Sequence, residues 1–130
     1  MGPAALPRIA DVLAAYDRLV EVGVGGRPSV AATLASRGSA VVVTDVVSRD
    51  VPAELDVVVD DVTDPDHDVY RDADAIYALR LPPELQRPVW TLARDVDADC
   101  LFTTLGGDPV VVPAETRPVA SGTLYVTTRN

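Results

Sequence analysis

The chain predicts an α/β domain built on a doubly wound, mostly parallel sheet. Short β-branched runs such as Ala40–Thr44 and Val57–Val59 are apolar without polar alternation, as strands covered by helices on both faces are. Through the middle of the chain these runs alternate with segments of helical spacing, the pattern of parallel strands joined by crossover helices. A glycine-rich turn, Gly23–Gly26, joins the first run to the next helical segment. With 130 residues, the length suits a single domain over residues 1–130, with one core and no room for a second.

The elements follow in order. Leu6, Ile9, Ala10, Leu13 and Ala14 recur at helical spacing, predicting a helix from about Ala4 to Tyr16 with Pro3 in its N-terminal turn. Leu19–Val22 is a short buried strand. Ser29–Arg37 reads as a helix capped by Gly38. Ala40–Thr44 and Val57–Val59 are strands that stop at acids, Asp45 and Asp60-Asp61. Ala75–Leu79 is a fourth strand, broken by Pro82-Pro83. Glu84–Val96 is a helix with Leu85, Val89, Leu92, Ala93 and Val96 on one face. Cys100–Thr104 makes a fifth strand, halted by Gly106-Gly107, and Val110–Val112 and Leu124–Thr127 read as two more. The ending, with strands and few helices, predicts a short antiparallel edge at the C-terminus.

Charge narrows the chemistry. The chain holds 20 acidic and 11 basic side chains, a net charge of −9, with 16 Asp, 4 Glu, 11 Arg and no Lys. Without lysine there is no Schiff-base chemistry and no Walker-type phosphate lysine. One His (His67) and one Cys (Cys100) make neither a structural zinc cluster nor a C-x-x-C pair. No metal site is expected. The Asp and Arg bias resembles proteins of salt-in extreme halophiles, where a hydrated acidic surface keeps the chain soluble; the alternative source of the bias is a GC-rich genome. At about 1 M salt the Debye length is about 3 Å, so a ligand must be held by short hydrogen bonds, stacking and shape. The arginines are scattered singly between acids, which argues against nucleic acid as a partner. No apolar run approaches the ~20 residues that span a bilayer, and the first residues carry no basic signal region. A cytoplasmic protein is expected, without a membrane partner.

Glu21-Val22-Gly23-Val24-Gly25-Gly26 is the most informative stretch. Glycines let the backbone turn sharply and a ligand approach closely, at the carboxyl edge of the sheet where open α/β folds bind ligands. Asp45 lies twenty residues past Gly25 at the end of the next strand, placed to accept ribose hydroxyl protons. Together these features point to a nucleoside-type ligand. A dinucleotide fingerprint needs a third glycine, and that position is Pro28. Glu21 suits a cationic ligand better than a pyrophosphate. S-adenosylmethionine, with its sulfonium and ammonium, is therefore favoured over NAD.

The same residues resemble motif I of class I S-adenosylmethionine-dependent methyltransferases, with Asp45 as their ribose-binding acid and Asp61-Val62 as the step beside the adenine. The resemblance covers about residues 17 to 105. More closely, the chain resembles a small archaeal group, uncharacterised protein family 0146. The shared stretches are the Glu21–Gly25 loop, Thr44-Asp45 and Ile76–Leu85. These resemblances imply a Rossmann-like methyltransferase fold with sheet order 3-2-1-4-5, with Glu21 on the methionine ammonium, Gly23, Gly25 and Gly26 beside the cofactor, Asp45 on the ribose and Asp61 toward the adenine. Amino-group methyltransferases often carry an amide or acid, two prolines and an aromatic residue after the fourth strand. Here only Pro82-Pro83 survive, between Leu81 and Glu84, which disfavours an exocyclic base nitrogen as acceptor.

Arg80, at the end of the fourth strand, is a candidate for orienting an anionic substrate, with Pro82 and Pro83 beside it. Thr103, Thr104, Gly106, Gly107 and Asp108 follow the fifth strand at the same edge. No catalytic base is identified. The chain is also too short for the insertions that usually build a substrate lid, so the alternative is a degenerate, non-catalytic nucleoside-binding or interaction module. His67 is expected in a surface loop, Cys100 as a core thiol, and Trp90 and Tyr77 in or beside the core.

Overall fold

The computed structural model describes residues 5–129. Its seven strands are β1 (Arg18–Val22), β2 (Ala40–Asp45), β3 (Asp56–Val59), β4 (Ala75–Ala78), β5 (Asp99–Phe102), β6 (Glu115–Val119) and β7 (Gly122–Thr127). They form one sheet in the order β3-β2-β1-β4-β5-β7-β6. The first five pair in parallel and the β6–β7 hairpin pairs antiparallel on the β5 edge. This is the expected order with the expected edge. The strand order reverses between β1 and β4, which opens a crevice at their carboxyl ends.

Helices α1 (Ile9–Leu13) and α2 (Ser29–Ser36) lie on one face, and α3 (His67–Tyr70) and α4 (Pro83–Asp95) on the other. Strand residues alternate between them. Leu19, Val41, Val43, Tyr77 and Leu101 pack with Leu13, Ala31 and Leu34 of the first pair. Val20, Val22, Ile76, Cys100 and Phe102 pack with Tyr70, Val89 and Leu92 of the second. Isolated helices below about 12–15 residues are marginal in water. Burial of Leu34, worth about 1.5–3 kcal/mol, therefore holds α2 more than its propensity does. Glu21 falls on the α1–α2 face by this alternation, opposite Tyr77 in the register.

Four expectations are corrected. The first helix covers only Ile9–Leu13, while Ala4 and Pro3 lie outside the described residues. Val110–Val112 is no strand: the fully buried Gln86 takes its backbone groups, donating to Pro109 O (2.9 Å) and accepting from Val111 N (2.7 Å). β6 escaped the hydropathy pattern because all but Val119 of its side chains are exposed. His67 opens the short helix α3, its Nε2 3.5 Å from Asp95. Cys100 and Tyr77 are buried as expected, and Trp90 sits half-buried under the Arg94 and Arg87 guanidinia. Among the described residues, no helix is long and apolar enough to cross a membrane.

Candidate functional site

The turn after β1 is fastened to the end of β2. Gly23 N and Val24 N both donate to Thr44 O, at 2.9 and 3.0 Å, and Gly25 N donates to Asp45 Oδ2 at 2.8 Å. Thr44 Oγ1 in turn donates to Glu21 O. Three successive amides are thus spent within the fold. Gly23 (φ +70) and Gly25 (φ +56) hold left-handed conformations that cost other residues about 1–2 kcal/mol. A Cβ on either would project into open space.

Asp45 is almost fully buried, at 7% exposure. Burial would raise its pKa, but bonds from the Gly25 and Val47 amides, the Arg49 guanidinium and the Val46 amide outweigh burial and hold the carboxyl below its usual range. Arg49 Nε lies 3.4 Å from Oδ2. Oδ1 has only a long contact, 3.4 Å, from Val47 N. Val46 and Val59, at 63% and 57% exposure, leave apolar surface beside this acid.

Glu21 lies on the other side of the turn. It is 1% exposed and accepts from the Tyr77 hydroxyl at 2.7 Å. Burial pushes its carboxyl up to about 7, against the opposing pull of the Tyr77 hydrogen bond. Tyr77 is itself pushed up by burial and by the charge and hydrogen bond of Glu21. A buried acid with no cationic partner among the described residues is costly in its charged form. A cation brought beside it would restore the charge.

Glu21 also contributes to a cavity of about 720 Å³ at the carboxyl ends of β1, β4 and β5. One wall is the glycine turn, Gly23–Arg27. The opposite wall holds Leu79, Arg80, Thr103, Thr104 and Gly106–Asp108, and Ser121–Thr123 at the β6–β7 turn also line the cavity. A volume of roughly 300–1,000 Å³ is that of a small-molecule site. The hairpin turn supplies some of the enclosure that an inserted lid gives longer chains. The sequence pattern predicts no element and no role for these residues.

The structure brings Glu21, Gly23, Gly25, Gly26 and Arg80 to this cavity. Asp45 is joined to the turn from behind and does not line it. Asp61 is exposed at the end of β3, and its Oδ1 accepts from Thr63 N (2.9 Å) and Thr63 Oγ1 (2.7 Å). The Thr63 hydroxyl holds the Asp61 carboxyl below the usual range, helped by the Thr63 amide. Pro82 caps α4 and Pro83 is its first residue; neither lines the cavity. No group of three or more metal-ligating side chains occurs among the described residues.

Comparison with known proteins fits this geometry. An RNA methyltransferase from Salinibacter ruber, solved with S-adenosyl-L-homocysteine, superposes with a TM-score of 0.61 at 16% identity, over 93% of this chain and 85% of that one. A 1,6-didemethyltoxoflavin-N1-methyltransferase from Burkholderia thailandensis, solved with its substrate and S-adenosylhomocysteine, gives 0.51 at 16% identity, over 92% and 59% of the two chains. At such identities the likeness establishes the fold, which is that of Rossmann-like methyltransferases. The sequence itself is 60% identical over 121 residues to a UPF0146 protein of Halobacterium salinarum, covering 92% of this chain and 94% of the relative. It is 47% identical over 103 residues to one of Archaeoglobus fulgidus, covering 78% and 79%. Residues 4–130 match the profile described as Uncharacterised protein family (UPF0146), and the chain belongs to that family.

Proposed function

We propose that this protein binds S-adenosylmethionine at the carboxyl edge of its sheet and presents it to a small methyl acceptor. The observation that carries this reading is Glu21, a buried carboxyl on the cavity lining whose only partner among the described residues is the Tyr77 hydroxyl. It suits the ammonium of the methionine moiety. The open faces of Gly23, Gly25 and Gly26 suit close approach of the same moiety. Asp45 Oδ1, which has only the long Val47 contact among the described residues, suits a ribose hydroxyl beside the cavity while Oδ2 fixes the turn. The exposed valines Val46 and Val59 offer the adenine an apolar seat.

A dinucleotide fits the same turn poorly. Pyrophosphate sites use unpaired loop amides, and here the Gly23, Val24 and Gly25 amides already donate to Thr44 and Asp45. Pro28, at the N-terminal cap of α2, adds no donor.

S-adenosylmethionine supplies an electrophilic methyl group, so the chain's task is to place an acceptor rather than to activate it. That agrees with a cavity wall of hydroxyls and one arginine, and with the absence of an assigned base. The fold also admits a ligand-binding protein without transfer activity. Calorimetry in about 2 M KCl, where screening suppresses non-specific charge effects, separates these readings. Saturable binding of S-adenosylmethionine and S-adenosylhomocysteine, with none of NAD, is expected. Methyl transfer from labelled cofactor to a small-molecule extract identifies an enzyme, and binding without transfer identifies a sensor. No binding of either adenosyl compound would refute the proposal.

A further inference from the structure

The β4–β5 wall of the cavity differs in charge and bonding from the rest of the chain. Acids outnumber bases almost two to one in the sequence. Yet the cavity holds two arginines, Arg27 and Arg80, against Asp108 and the buried Glu21. Neither arginine has a carboxylate within 4.0 Å among the described residues. Arg80 is the more closely held. Its backbone is left-handed, φ +57, a conformation rare for a side chain of its size. Two bonds to one residue keep it there: Arg80 N donates to Thr103 Oγ1 at 2.9 Å, and Leu81 N donates to Thr103 O at 2.8 Å. Thr103 Oγ1 thereby serves as an acceptor, and its proton has no protein partner among the described residues. The Thr104 hydroxyl and the Arg80 guanidinium are likewise unpaired there.

We infer that the molecule bound opposite the glycine turn carries an anionic group, a carboxylate or a phosphate ester, held by the Arg80 guanidinium with the Thr103 and Thr104 hydroxyls. Guanidinium and hydroxyl donors along one cavity wall, as here, are the usual recognition set for such groups. The cavity volume of about 720 Å³ suits a small molecule, and Asp108 on the same loop disfavours a second anionic group. Naming this ligand the methyl acceptor rests on the cofactor reading above; the anion subsite does not.

The test uses the ¹⁵N-labelled full chain with and without S-adenosylhomocysteine, titrated with potassium phosphate or potassium acetate at fixed ionic strength. Saturable shifts of the Arg80, Thr103 and Thr104 amides are expected. Saturation by phosphate alone marks a phosphate ester, and by acetate alone a carboxylate. R80Q should weaken the response at least about fivefold and R80K by less, because a point charge retains part of the interaction. Retained native chemical shifts away from the site show that each variant is folded. Shifts that do not saturate with either anion, or an R80Q response equal to the wild type, overturn the inference. Anion saturation without any response to S-adenosylhomocysteine refutes the cofactor reading and leaves the subsite standing. The reverse result refutes the subsite alone.

Discussion

Asp45, the last residue of β2, accepts a 2.8 Å hydrogen bond from the amide of Gly25, twenty residues earlier in the chain. The acid therefore shapes the turn before it meets any ligand. One oxygen fixes the glycine loop, and the other has only the long Val47 contact.

Asp45→Ala removes both roles. Loss of the Gly25 bond is expected to cost about 1–2 kcal/mol of stability. Affinity for S-adenosylhomocysteine should fall about tenfold or more, at least 1.4 kcal/mol. Urea midpoints and calorimetry measure the two effects. An unchanged affinity would remove Asp45 from the site.

Gly25→Ala separates backbone strain from ligand contact. The left-handed φ of +56 should cost about 1–2 kcal/mol, without a clash, since nothing lies within 4 Å of the added Cβ. Gly38→Ala, at φ +94 with similar open space, is the control away from the cavity. Both should lose comparable stability by thermal unfolding, and only Gly25→Ala should lose ligand affinity, by about tenfold.

Glu21 makes stability depend on pH with a defined sign. Burial raises its carboxyl from the ordinary 4.5 to about 7, so the folded chain holds this proton more tightly than the unfolded one. Its contribution is complete below pH 4.5 and is lost as pH rises through about 7, by about 3 kcal/mol at most. Glu21→Gln removes that dependence. The stability difference, variant minus wild type, should grow between pH 5 and 8 in denaturant titrations at matched salt. A difference independent of pH would mean that the carboxyl is not perturbed.

The same group predicts a binding profile. An ionised Glu21 pairs with the ammonium and a protonated one does not, so affinity for S-adenosylhomocysteine should rise between pH 6 and 7.5, around the value of about 7. Calorimetry on Glu21→Gln should show weaker binding without this rise.

Gln86 tests the packing that replaced an expected strand. Its amide satisfies Pro109 O and Val111 N while fully buried. Gln86→Ala strands both groups and leaves a void, for a loss of about 2–4 kcal/mol. A loss below a quarter of that in urea unfolding would show the loop held by other contacts.

Much of the fold was legible from local pattern. The strands β1 to β5, the glycine turn and the acid ending β2 stand in hydropathy runs and punctuation, because a strand covered on both faces must be apolar throughout. β6 was hidden because its exposed side chains and Pro118 look like a loop. Val110–Val112 looked like a strand because Val112 is buried, yet a glutamine far along the chain supplies its backbone partners.

The sequence alone determined the strands β1 to β5, the position of the turn and the choice of Glu21 and Asp45 as candidates. Only the tertiary structure decided their chemistry. Strand pairing set Glu21 beside Tyr77 and out of water, the β2 terminus took up the loop amides, and the β6–β7 turn closed a cavity around Arg80 and Thr103. Protonation, free donors and enclosure depend on which distant groups come together, and one-dimensional spacing carries no such information.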